Sequence, residues 1–117
     1  MSESRNPEEF LPLSDLSFHV LLALGAGPSH GYAVGKEIEL RSGGRLSPAT
    51  GSLYQALRRL HRDGLIEESE RPRRIAVVDA RRQYFQLTPF GRRVFAAEVR
   101  RLEALLAAAR EMKLVPA

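Results

Sequence analysis

Thr88-Pro89 opens a helical pattern that continues to about residue 114, about 26 residues and about 39 Å of helix. In a chain of 117 residues that one element constrains the fold more than any other. A body this small has limited core and cannot cover so much apolar helix, so the excess is expected to pack on a second subunit. Phe95, Leu102 and Ala109 recur every heptad, with Leu105 and Met112 three positions beyond and Val99 and Leu106 on the flank. That is a coiled-coil-like seam. Glu98 falls in the middle of it, where a charge is costly unless paired or at an open edge. It reads either as a register device or as a water-facing position. The competing reading of the segment is a helix folded back on its own core.

The region ahead of the long helix divides into short elements. Residues 1–12 have no sustained period and contain Pro7 and Pro12, so they read as a flexible arm. Ser14 or Asp15 caps a first helix to about Leu24, because a short side-chain oxygen accepts an orphan backbone N–H. Leu16, Val20, Ala23 and Leu24 form one stripe of it, while Phe18 and Leu22 fall on the other side. A helix apolar nearly all round is buried on two faces, which again asks for a second surface. Gly25-Ala26-Gly27-Pro28 ends it. A second helix follows over about 30–41, with Val34 and Ile38 inward, and Ser42-Gly43-Gly44 forms a turn.

Ser47-Pro48 marks the third helix, with Ser47 as cap and Pro48 in the first position, where its missing N–H is harmless. Leu53, Leu57 and Leu60 face the core, with Ala49 and Ala56 beside them. The opposite face carries Pro48, Gly51, Gln55, Arg58 and Arg62, flanked by Ser52, Tyr54 and Arg59. Gly51 inside a helix costs about 1 kcal/mol relative to alanine, and a start at Thr50 instead would remove that cost. Residues 65–70 and 82–87 are strand candidates, the second alternating with Tyr84 and Gln86 opposite Phe85 and Leu87. Between them lies a hairpin tip, 71–81, holding Arg71, Arg73, Arg74 and Arg81.

Composition narrows the class. The chain has no cysteine, which removes disulfides, thiolate zinc sites and cysteine nucleophiles and fits a reducing cytoplasm. The longest apolar run, 20–26, is far too short to span a bilayer, so a soluble protein without membrane attachment is expected. His19, His30 and His61 share no metal-ligand spacing, and Gly25-Ala26-Gly27 follows a helical pattern rather than the strand a phosphate loop needs. Neither an enzyme nor a cofactor is expected. The net charge is +4, but residues 41–101 hold fourteen arginines and no lysine against six acidic residues, a local balance of +8. A basic middle on a small domain points to a polyanion.

The order is helix, helix, Gly-Gly turn, helix, hairpin, long helix. The fold class is therefore mainly α with a small β-hairpin: a winged helix-turn-helix over 13–87 plus a C-terminal dimerisation helix over 88–117. A helix with a small, polar and basic outer face fits the major groove of DNA, and an Arg-rich hairpin beside it meets phosphates. Base or near-base contacts fall to Thr50, Gly51, Ser52 and Gln55. Phosphate contacts fall to Tyr54 and Arg58, and to Arg71, Arg73, Arg74 and Arg81 in the wing. Tyr32 lies away from the Val34/Ile38 stripe, so its hydroxyl either touches the DNA backbone or closes the turn. The dimer interface would take in Phe18, Leu22, Phe95, Val99, Leu102, Leu105, Leu106 and Ala109. The rival is a winged-helix module that binds only another protein.

The chain also resembles the PadR-type transcriptional regulators. The resemblance rests on Leu21-Leu22-Ala23-Leu24 running into Gly27-Pro28-Ser29-His30-Gly31-Tyr32, on Leu46-Ser47-Pro48 and Gly51-Ser52-Leu53-Tyr54, and on Ala56-Leu57-Arg58-Arg59-Leu60. It continues through Asp63-Gly64-Leu65-Ile66 and Arg82-Gln83-Tyr84-Phe85-Gln86-Leu87-Thr88 to Gly91-Arg92. It implies a repressor of transcription, a homodimer whose last helix swaps onto the partner, and double-stranded DNA as ligand. It also implies a small hydrophobic or aromatic effector held between the first and last helices. Phe18, Phe90 and Phe95 are either the lining of such a pocket or core.

Overall fold

Short side chains set the helix starts. In the computed structural model, which describes residues 4–72 and 82–116, the Ser14 hydroxyl accepts the Ser17 N–H and opens α1, Asp15–Leu24. His30 opens α2, Gly31–Arg41, its Nδ1 accepting the Ala33 N–H at 3.3 Å. Thr88 opens α4, Pro89–Glu111, by accepting the Gly91 N–H at 2.9 Å, with Pro89 in the first turn.

The third helix starts later than its cap signal implies. α3 spans Thr50–Arg62, preceded by Ala49 and without a side-chain cap. Ser47 does not cap it, because its hydroxyl donates to Glu39 Oε2 of α2 at 2.8 Å. The tertiary acceptor outcompetes the local one, and Gly51 consequently sits in the first turn.

Three short antiparallel strands form the sheet: β1 Ser29–His30, β2 Ile66–Ser69 and β3 Tyr84–Leu87, in the order β1-β3-β2. β2 and β3 fall within the two expected strands. β1 is too short to show alternation, and only its pairing of Ser29 with Phe85 and His30 with Tyr84 defines it. The core lies between α1, α2, α3, the sheet and the first half of α4, centred on Leu21, Leu24, Val34, Ile38, Leu57, Leu65 and Val94. Thr88 locks α4 to the start of β2: its hydroxyl donates to the Gly64 carbonyl at 2.6 Å, and its N–H donates to the Leu65 carbonyl at 3.1 Å.

Two expectations about the chain ends are corrected. The described part of the flexible arm is a docked strap. Asn6 caps a 3-10 turn over Pro7–Phe10. Phe10 packs edge-on against Phe90 at 5.5 Å between ring centres, and Arg5 lies over Phe90 while donating to the Asp63 carbonyl at 2.6 Å. Apolar burial and these polar anchors outweigh the lack of helical period. At the other end α4 stops at Glu111, where Lys113 turns to a φ of 59° and Leu114 donates back to the Ala109 carbonyl at 2.9 Å. That closure satisfies the last carbonyls of the helix.

α4 has two unlike halves. Phe90, Val94, Ala97 and Glu98 are buried, whereas Leu102, Leu105 and Leu106 are 40%, 56% and 44% exposed. Glu98 is not a water-facing residue, being only 2% exposed. Among the described residues no helix is long and apolar enough to cross a membrane.

Candidate nucleic-acid interface

The strong amphipathicity of α3 fixes which of its residues are available. Leu53, Ala56, Leu57 and Leu60 are buried against the core. That leaves Thr50, Gly51, Ser52, Tyr54, Gln55, Arg58, Arg59 and Arg62 on one exposed surface. Arg62 approaches the Asp63 carboxylate at 3.3 Å. Among the described residues Arg58 and Arg59 make no ion pair, so their charge is free to act outward.

The turn before α3 is built to hold that surface at a set angle to α2. The Ser42 hydroxyl accepts the Leu46 N–H at 2.9 Å, and Gly43 and Gly44 take positive φ values of 67° and 81° that side chains disfavour. Behind Tyr54, Gly31 allows close approach: a Cβ there would lie 2.5 Å from the Tyr54 hydroxyl oxygen. The Tyr54 ring therefore rests on the N-terminus of α2, at the wall of a cleft of about 240 Å³ that also includes Tyr32, Lys36, Glu39, Ser47 and Thr50.

A second group of cations gathers at the start of α2. Tyr32 is 61% exposed. Lys36 Nζ lies 5.7 Å and Arg82 Cζ 5.8 Å from the centre of its ring. Arg82 Nη1 also lies 3.0 Å from Nε2 of the buried His30. Burial lowers the His30 pKa below its ordinary value, and the Arg82 charge lowers it further, so the ring is neutral near pH 7.

The structure thus brings Thr50, Gly51, Ser52, Tyr54, Gln55 and Arg58 onto one surface, with Tyr32 beside it across the cleft. Arg71 is exposed two residues beyond β2, while Arg73, Arg74 and Arg81 lie outside the described residues. Lys36 and Arg82 were not among the expected contacts. No local signal marks Arg82, because the two-residue strand β1 is what carries it to α2. Lys36 was recoverable, since it lies one helical turn from Tyr32.

The residues expected at a subunit interface fall at the junction of α1 and α4 and along the second half of α4. Phe18 stacks on Phe95 with ring centres 4.8 Å apart. Leu22, Val99 and Ala109 are half-buried, and Leu102, Leu105 and Leu106 are exposed. Phe90 does not join Phe18 and Phe95 as the lining of a pocket. It is buried in the core, against Phe10 and under Arg5.

The chain is 40% identical over 92 residues to an uncharacterised 37.1 kDa protein in a transposon of Streptomyces fradiae, covering 79% of this chain and 24% of that protein. It spans about a quarter of that relative's length. It is 38% identical over 88 residues to the transcriptional regulator Rv3488 of Mycobacterium tuberculosis, covering 74% of this chain and 75% of the other. Its fold is similar to that of Bacillus subtilis PadR in complex with operator DNA, with a TM-score of 0.62, 20% identity, and coverage of 74% of this chain and 47% of that one. Residues 20–97, from within α1 to the middle of α4, match the transcriptional regulator PadR-like family, and the chain belongs to that family.

Proposed function

We propose that the protein is a sequence-specific transcriptional repressor that binds double-stranded DNA as a homodimer. The observation that carries this reading is the α3 surface, whose apolar side packs on the core while its outer side presents small, polar and basic residues together with Tyr54. Its dimensions suit the major groove. Thr50, Gly51, Ser52 and Gln55, in its first two turns, meet base edges. Tyr54 and Arg58 meet phosphates, Tyr32 meets the backbone, and Arg71, Arg73, Arg74 and Arg81 serve the wing. The fold shared with a regulator seen on its operator supports the assignment.

The homodimer accounts for the second half of α4. Leu102, Leu105 and Leu106 are 40–56% exposed in one chain, and a partner helix would bury them together with Val99 and Ala109. Phe18, Leu22 and Phe95 extend the same surface at the foot of the helix. An aromatic effector would enter beside the Phe18–Phe95 stack, where a flat ring continues an existing arrangement. Repression, as the sign of regulation, follows the family resemblance.

The test is binding to DNA flanking the protein's own gene, measured across salt concentrations. A dimer that neutralises about 6–10 phosphates should give a log-log slope of about −0.9 per phosphate. Footprints should show paired half-sites about 34–36 Å apart. A protein that stays monomeric and does not retain duplex DNA in dilute buffer would refute the reading.

A further inference from the structure

Lys36 and Arg82 come from different elements, yet both lie within 6 Å of the centre of the exposed Tyr32 ring. Two cations gathered on one ring repel each other over less than two Debye lengths at ordinary ionic strength. The face of the aromatic ring offsets part of that cost. Among the described residues no carboxylate pairs with either cation. Glu37 is engaged by Arg41, and Glu39 accepts from Ser47.

His30 sharpens the imbalance. Its Nδ1 accepts the Ala33 N–H as the cap of α2. A neutral imidazole has one acceptor nitrogen, so its proton then sits on Nε2. Nε2 faces Arg82 Nη1 at 3.0 Å, and a guanidinium has only donors. A donor therefore meets a donor. In the other tautomer Arg82 gains an acceptor and the cap is lost. With the cap kept, Arg82 Nη1 finds no acceptor on His30 and is available to an acceptor from outside.

We propose that Lys36, Arg82 and the Tyr32 hydroxyl form a clamp for a backbone phosphodiester of bound DNA, with the capping tautomer of His30 leaving Arg82 to that phosphate. The oxygens of one phosphate accept from Arg82 and from Lys36 and leave the His30 cap intact. The clamp sits where the sheet meets α2, across the cleft from α3, and so fixes the depth and angle of the recognition helix without reading sequence. This inference rests on the DNA-binding reading above.

The test compares Lys36→Ala, Arg82→Ala and the remote Arg110→Ala with wild type on an operator fragment and on unrelated DNA. Lys36 and Arg82 are surface residues, so the variants should fold, which circular dichroism checks. Each clamp variant should weaken binding to both DNAs alike, by about eightfold at 0.1 M salt, and flatten the salt slope by about one. Arg110→Ala should match wild type. The His30 ring resonances should shift on adding duplex and not on adding inorganic phosphate at equal ionic strength. Wild-type affinity and slope in both clamp variants, alongside weakened binding by Arg58→Ala, would overturn the clamp and leave the DNA-binding reading standing. A saturable response to inorganic phosphate would overturn it in favour of a small-anion site. Wild-type protein that binds no DNA would overturn both.

Discussion

Glu98 Oε2 accepts the backbone N–H of Leu13 at 2.8 Å, a contact between residues 85 positions apart that ties the N-terminal strap to the middle of α4. The other carboxylate oxygen pairs with Arg101 at 2.5 Å. A charge that sits among apolar seam positions in the sequence is thus a buried anchor: Arg101 reaches both carboxylate oxygens, its Nη2 lying 3.2 Å from the Oε2 that also accepts from Leu13. Glu98→Ala should leave the Leu13 N–H without an acceptor and lower stability by about 1–3 kcal/mol. Glu98→Gln keeps an acceptor and loses only the pairing with Arg101, which is 38% exposed, so it should cost under about 1 kcal/mol. Urea denaturation at fixed protein concentration measures both. Equal losses in the two variants would show that the charge, not the strap contact, is what matters.

The same carboxylate should set part of the acid limb of stability. Its hydrogen bond to Arg101 holds the Glu98 pKa below the ordinary value of 4.5, with the Leu13 N–H acting in the same direction and burial opposing. The folded state therefore binds that proton less readily than the unfolded state. The stabilisation is fully present above pH 4.5 and is lost as the pH falls toward and through the lowered folded value. The stability difference between wild type and Glu98→Gln should shrink over that interval. A constant difference from pH 7 to pH 3 would contradict the assignment.

Two glycines permit close approaches that alanine cannot. A Cβ at Gly91 would overlap the carbonyl oxygen of Leu65, a backbone atom with no room to retreat. Gly91→Ala should cost at least about 3 kcal/mol, beyond the usual range for overpacking, and should appear mainly as insoluble protein. At Gly31 the obstacle is the end of the Tyr54 side chain, which can move. Gly31→Ala should cost about 1–2 kcal/mol by displacing that ring. In a Tyr54→Ala background the same substitution should be close to neutral, a non-additivity that a double-mutant cycle reads directly. Additive losses would mean that the ring is not what Gly31 accommodates.

What was legible in the sequence was the periodic and the capped. Ser14, His30 and Thr88 stand at the starts of α1, α2 and α4, and the apolar side of α3 is the one its spacing predicts. What escaped depends on partners distant in the chain. Ser47 is a sound cap by type, but Glu39 of α2 takes its hydroxyl. The strap has no period, and its order comes from Phe90, Asp63 and Glu98, all more than fifty residues away. Arg82 belongs with Tyr32 only because His30 pairs with Tyr84. In the candidate interface, likewise, the face of α3 and Tyr32 across the cleft were readable from local pattern, while the arrival of Arg82 beside Tyr32 was not.

Gln55 and Arg58 lie on the same exposed face of α3, three positions apart, but their chemistry divides the labour. An amide can donate and accept in one plane and so pairs with a particular base edge, whereas a guanidinium with no carboxylate partner serves any phosphate. Gln55→Ala should reduce affinity for the operator by about 1–3 kcal/mol while leaving affinity for unrelated DNA nearly unchanged. Arg58→Ala should weaken both equally and flatten the salt slope by about one. Indistinguishable profiles for the two variants would refute that division.

Leu105 is the residue through which the dimer is most directly tested. It is 56% exposed in the single chain, makes no part of the core, and lies three positions beyond Leu102 on the proposed seam. A charge there is harmless to a monomer, because the side chain already faces water. In a paired helix it would be buried without a partner, at a cost of several kcal/mol per subunit. Leu105→Glu should therefore leave the far-ultraviolet spectrum of the monomer intact, convert the protein to a monomer in sedimentation equilibrium, and reduce operator affinity far more than affinity for a single half-site. Glu98→Gln offers the contrast, since it changes a charge on the same helix among residues the single chain already buries. It should leave the oligomeric state unchanged. A Leu105→Glu protein that remains a dimer would place the interface elsewhere and leave the exposed half of α4 without an explanation.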